Sequence, residues 1–212
     1  MHPRTFGVSL LLTSICSAGQ AASVTSPGAD GKTLLTLSGE IIPGDADRLM
    51  AEIKAAMDDR RVIAGILLNS PGGNVAEGFR LARIVRDAKM AAIVADGAVC
   101  ASACFIVFAA GAEKFAGYAA RVGVHGAASD RSQHETDQSR AATIIMARAV
   151  KELGVPPGII GQMVVTPPDQ VEWLSPDDLR SMGTTMTGGA EQKPSASAAI
   201  PQSPIDMTPP RQ

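Results

Sequence analysis

Cysteine is scarce in this chain, with three residues in 212, too few for a disulfide scaffold to replace a core. Neither charge dominates: 19 basic residues face 21 acidic ones, for a net charge of −2. That balance excludes an electrostatic nucleic-acid binder. Signatures for metals and nucleotides are missing. There is no His-Glu-x-x-His, since the run starting at His134 has Gln138 where the second His would stand. Cys100 and Cys104 have no partner pair for zinc, and no phosphate-binding loop occurs, so no cofactor and no metal are expected. No repeat of solenoid period is present. What the chain does have is an apolar fraction of 45%, too high for a disordered protein and enough for one core of ordinary domain size.

The two ends read as processing and tail segments. In Met1–Ser23, Arg4 gives a short basic start and Phe6–Cys16 a mostly apolar run too short for a stable membrane span. Gly19 and Ala21 follow in an Ala-x-Ala-like arrangement, so residues 1–21 are expected to be a secretory signal peptide cut after Ala21 or Ala22. Cys16 is a poor lipid-anchor site, because Ile15 stands where that signal needs a small residue. Export places the mature protein in a bacterial periplasm or outside the cell, where ATP and acyl-CoA are not expected. Residues 22–32 read as a flexible lead-in. Thr184–Gln212 carries Pro194, Pro201, Pro204, Pro209 and Pro210 among Gly, Ser, Ala and Thr, the composition of a disordered tail. The folded domain is therefore expected over 33–183.

Within it, strand and helix patterns alternate. Leu34, Leu35, Leu37 and Ile41 form a strand-like run, and Asp45 and Asp47 open a helix with Leu49, Met50, Ile53 and Met57 at helical spacing. Val62–Leu68 is a continuous apolar run, as in a parallel strand covered on both faces. A helix with Val75, Phe79, Leu81, Ile84 and Val85 on its stripe follows, then a strand over Ala91–Ala95. Cys100–Ala110 predicts a buried helix and Arg121–His125 a strand. Thr136–Leu153 predicts a long helix with Ile144, Ile145, Met146 and Val150 inward. Ser175-Pro176-Asp177-Asp178 is a helix start with a Ser cap, Pro in the first turn and acids at the positive end. Such repeated units predict a single α/β domain with right-handed crossovers.

Three segments could carry chemistry. Asn69-Ser70-Pro71-Gly72-Gly73-Asn74 lies at the carboxyl end of the buried strand, where α/β sheets place their sites. Its glycines let backbone N–H groups approach a ligand and hold an oxyanion, or they make a plain tight turn. Ser102 stands among small residues at the start of the apolar helix, beside unsatisfied N–H groups. It is either a nucleophile or an ordinary helix-capping serine. His125 ends the apolar run Arg121–Val124 and is either a general base or a hydrogen-bonded core histidine. His134 sits in a polar stretch and reads as solvated. A Cys100–Cys104 disulfide is geometrically possible on one helical turn, but two small buried thiols are the plainer reading.

Taken in register, Asn-Ser-Pro-Gly-Gly at 69–73, Ala-Ser-Ala at 101–103 and Arg-Val-Gly-Val-His at 121–125 resemble the ClpP family of serine peptidases. More broadly they resemble the Clp protease/crotonase superfamily. The resemblance implies a ClpP/crotonase-like fold, with Ser102 as nucleophile, His125 as general base and the N–H groups of Gly73 and Ala103 as oxyanion hole. The family's triad Asp precedes a segment similar to Trp173-Leu174-Ser175 and maps to about Pro167, with Asp169 the nearest acid, two residues away. Asp169, a backbone carbonyl, an Asn or nothing at all could orient His125. Related Ser-Lys proteases share the Asn-Ser-Pro-Gly-Gly element, but Lys114 and Lys151 have no motif around them.

The resemblance implies a serine-type endopeptidase acting on peptides or unfolded proteins by Ser-His acyl transfer, and a possible homo-oligomer; export from the cytoplasm is the reason no ATPase partner is expected. The alternative is a weak or inactive relative that binds peptides or serves assembly in the cell envelope. Crotonase-type acyl-CoA chemistry fits poorly with export.

Overall fold

A computed structural model describes residues 26–27, 32–128 and 136–189. The expected signal segment, His134 and the part of the expected tail beyond residue 189 lie outside the described residues.

The chain runs through β1 (Ser26–Pro27), β2 (Lys32–Ser38), α1 (Asp45–Asp58), β3 (Val62–Asn69), α2 (Val75–Asp87) and β4 (Ala91–Val94). It continues through β5 (Val99–Ala101), α3 (Ala103–Ala109), β6 (Lys114–Gly117), β7 (Arg121–Val124), α4 (Asp137–Glu152) and α5 (Pro157–Val165). β8 (Glu172–Trp173), α6 (Pro176–Ser181) and β9 (Thr184–Thr187) complete it. A six-stranded sheet has the order β1-β2-β3-β4-β6-β9, parallel except for β1 at one edge. A three-stranded sheet, β5-β7-β8, is joined to it by a bridge between Ser70 and Cys100. This is the expected α/β architecture in one domain.

The central strand β3 pairs with β2 on one side and β4 on the other, which is why its sequence is apolar almost throughout. Ile66 and Leu68 are fully buried. α3 is buried along its whole length and packs against α2, β4, β5 and β7. Burial of Phe105, Ile106, Val107 and Phe108 contributes about 1.5–3 kcal/mol each.

Several expectations are corrected. The helix expected over Cys100–Ala110 is split: Cys100 and Ala101 belong to β5, and helix starts only at Ala103. Pairing with β7 takes those two residues, a contact that local periodicity does not encode. On α4, Met146 and Val150 are buried, but Ile144 and Ile145 are 52% and 60% exposed. Met50 and Met57 of α1 also face out. β6, α5 and β9 were not anticipated. Thr184–Thr187 pairs in parallel with β6, so ordered structure runs past the tail boundary expected at 184. Ser26–Pro27 pairs with β2, inside the expected lead-in. The strand expected to reach Ile41 stops at Ser38, with Ile41 making a separate bridge to Gly73.

Candidate active site

The site forms where the ends of β3, β5 and β7 meet. Past β3, Ser70 donates its N–H to the Val99 carbonyl (2.7 Å) and accepts the Ala101 N–H on its own carbonyl (3.1 Å). Asn69 Oδ1 accepts from the Val99 N–H. The Asn-Ser-Pro-Gly-Gly turn is thereby stitched to the strand that delivers Ser102. Gly72 O accepts the Ile41 N–H, and Asn74 N–H donates to Ile41 O, both at 2.8 Å. Ile41 thus spends both main-chain groups on residues 72 and 74. In this parallel pairing the N–H and C=O of Gly73 point to the opposite side. A side chain at Gly73 would run into Ile41 O, and its φ of +141° is one that L-residues avoid.

Ser102 sits at the junction of β5 and α3 with φ 56° and ψ −122°, a conformation rare for a residue with a side chain. Its N–H donates to Gly123 O (3.1 Å), and its hydroxyl makes no capping bond. The capping-serine reading therefore does not hold, and the hydroxyl stays free. Ala103, the first residue of α3, has an N–H with no partner inside the helix.

His125 follows β7 and is half-buried. Its Nδ1 lies 2.7 Å from Gly126 O. A carbonyl only accepts, so Nδ1 carries the proton, and in the neutral ring Nε2 is left with the basic lone pair. The segment is pinned on both sides: Gly126 N–H donates to Thr166 O, and Ala127 N–H to Thr143 Oγ1. Thr143 on α4 was missed in the sequence, where a Thr among apolar neighbours was the only signal.

Ser102, His125, Gly73 and Asp169 line one cavity of about 960 Å³, walled by Ile41, Ile42, Pro43, Pro71, Ala127, Pro168 and Val171. No hydrogen bond joins Asp169 to His125. Of the four alternatives for orienting His125, the backbone carbonyl is the one present. Lys114, at the start of β6, directs its Nζ to Gly111 O, and burial lowers its pKa. Neither it nor Lys151 lines the cavity. Among the described residues no cluster could hold a metal ion.

The two cysteines are joined: Cys100 and Cys104 form a disulfide with Cα atoms 5.2 Å apart, correcting the free-thiol reading.

The α/β domain thus brings a free serine hydroxyl, a histidine and a glycine turn onto one cleft. Residues 29–153 match the family described as Clp protease, and the chain belongs to that family. It is thus a ClpP-like serine-type peptidase by family. No curated protein matches the chain by sequence. Solved structures similar in fold include ClpP1 from Listeria monocytogenes, 19% identical with a TM-score of 0.55, covering 73% of this chain and 92% of that one. The ClpP catalytic domain from Plasmodium falciparum is 15% identical with a TM-score of 0.55, covering 76% and 88%. A mutant of the 1510-N membrane-bound stomatin-specific protease is 18% identical with a TM-score of 0.53, covering 72% and 77%.

Proposed function

We propose that the mature chain is an exported serine peptidase that cleaves extended peptides or unfolded proteins without ATP. The observation that carries this reading is Ser102 at φ 56°, its hydroxyl uncommitted, in one cleft with His125 and Gly73. Ser102 Oγ attacks the scissile carbonyl as Nε2 of His125 takes its proton. The charge that forms on the carbonyl oxygen is held by the N–H groups of Gly73 and Ala103. His125 then protonates the leaving amine, and water releases the acyl group by the same route. The cleft wall is largely small and apolar, with Glu40, Asn74, Asp169 and Gln170 as polar exceptions, and is long enough for an extended peptide. Residues 1–21 support export to the periplasm, which also removes any ATP-driven partner.

A second reading, a peptide-binding relative without turnover, is favoured by one observation. Asp169 makes no hydrogen bond to His125, and among the described residues no carboxylate bonds to its ring. Labelling of the mature protein with a fluorophosphonate probe separates the two. Labelling that is lost in Ser102→Ala and His125→Ala is expected; a folded protein that does not label would leave the binding reading.

A further inference from the structure

We propose that the Cys100–Cys104 disulfide is a positioning clamp that keeps the Ser102 hydroxyl available for attack; the inference rests on the peptidase reading above. Cys100 lies in β5 and Cys104 in α3, so the bond spans the junction where β5 turns into α3. Ser102 stands at the centre of the five-residue ring, two positions from each sulfur-bearing residue. Both cysteines are fully buried. So small a ring lies at the low end of what loop closure can contribute to global stability. Its effect falls on the backbone angles of residues 101–103.

Two other helices in the same molecule show what a hydroxyl does when it precedes a helix on extended backbone. Thr136 before α4 has φ −126° and accepts the Ser139 N–H. Ser175 before α6 has φ −68° and accepts the Asp178 N–H. Both occupy ordinary extended backbone and spend their oxygen on the helix. Ser102 holds the same position before α3, yet φ 56° turns its hydroxyl away from the cap. A strained angle persists only where the surroundings over-determine it. Here the Ser102 N–H to Gly123 O bond fixes one side of the junction and the disulfide ties β5 to α3 across it. Without the disulfide, Ser102 can relax to the extended capping conformation. Its oxygen would then be engaged by the helix and no longer free to attack. Cys100 and Cys104 are positioning residues, since neither lines the cleft.

The test compares fluorophosphonate labelling rates, per folded molecule, of the mature protein and its Cys100→Ala/Cys104→Ala variant. Leu49→Ala, a core truncation in α1, serves as a control for lost stability. We expect the paired variant to label about a hundredfold more slowly, the scale of losing one oxyanion donor. Its pH midpoint should be unchanged, because His125 is untouched, and Leu49→Ala should label at the parent rate. Protein refolded in dithiothreitol should label slowly and recover on reoxidation. Equal rates per folded molecule would overturn the clamp and leave the peptidase standing. A chain that cannot fold without the bond would overturn it too, since the disulfide would then serve the fold. No labelling in any form would overturn the peptidase reading itself.

Discussion

A Cβ atom at Gly72 would stand 2.7 Å from the Cβ of Ser102. It would also lie 2.6 Å from the Ala101 carbonyl oxygen, so the glycine turn and the serine junction meet backbone to backbone. Residues 72 and 102 come from different strand-helix units, and the absence of one side chain is what lets them touch.

Gly72→Ala therefore faces a backbone clash and an unfavourable φ of +100° together. We expect a stability loss of about 1–3 kcal/mol and a loss of probe labelling at Ser102. Urea denaturation and labelling of the folded fraction measure the two effects separately.

Asp169→Asn should change kcat/KM by less than about tenfold, because Gly126 O already holds the His125 Nδ1 proton. Removing the orienting carboxylate of a Ser-His-Asp triad costs about 10⁴ in kcat. A loss of that size here would show that Asp169 swings onto His125 when substrate binds.

Thr143→Val keeps the side-chain shape but leaves the buried Ala127 N–H without its acceptor. A cost of about 1–3 kcal/mol is expected in chemical denaturation. Because Ala127 lies two residues from His125, kcat should fall more than KM rises.

Glu77 links the two helices that flank the cleft. Its Oε1 accepts the N–H groups of Gly44 and Ala46 at the start of α1, where Gly44 has no side-chain cap to offer. Burial pushes its carboxyl pKa up, but the Ala46 hydrogen bond, Arg80 and the Gly44 hydrogen bond outweigh that and hold it below 4.5. A depressed folded-state value means the stabilisation is present above pH 4.5 and is lost as pH falls through the folded value. Glu77→Gln should be less stable than the parent by about 1–3 kcal/mol at pH 7. That gap should close below pH 4.5 in urea titrations at several pH values; a gap independent of pH would contradict the assignment.

Ser175→Ala should cost about 1 kcal/mol, since Ser175 and Asp178 form a reciprocal cap on α6. Thermal denaturation reads it directly, and the cleft should be unaffected.

That cap was legible in the sequence because its chemistry is local: Ser, Pro and two acids act within one turn. The same holds for β3, whose unbroken apolar run follows from being covered on both faces, and for the order of the three motifs. Local pattern failed where neighbours distant in the chain decided. Ile144 and Ile145 carry the same apolar signal as Met146, yet only Met146 meets the core, because the packing of α4 selects its face. Cys100 and Ala101 read as helix until β7 takes them into a sheet.

The site divides along the same line. Sequence alone determined which residue types stand at 73, 102 and 125 and in what order, since each motif is a short run with its own backbone demands. Tertiary structure alone decided that the Ser102 hydroxyl is free, that Gly126 O holds the His125 ring proton, and that the two cysteines meet. Ser102 is held by a bond from its N–H to Gly123 O and by the disulfide across its junction, and the residues after His125 are pinned by Thr143 and Thr166. Such contacts exist only once segments far apart in the chain are packed together, and no local period or propensity records them.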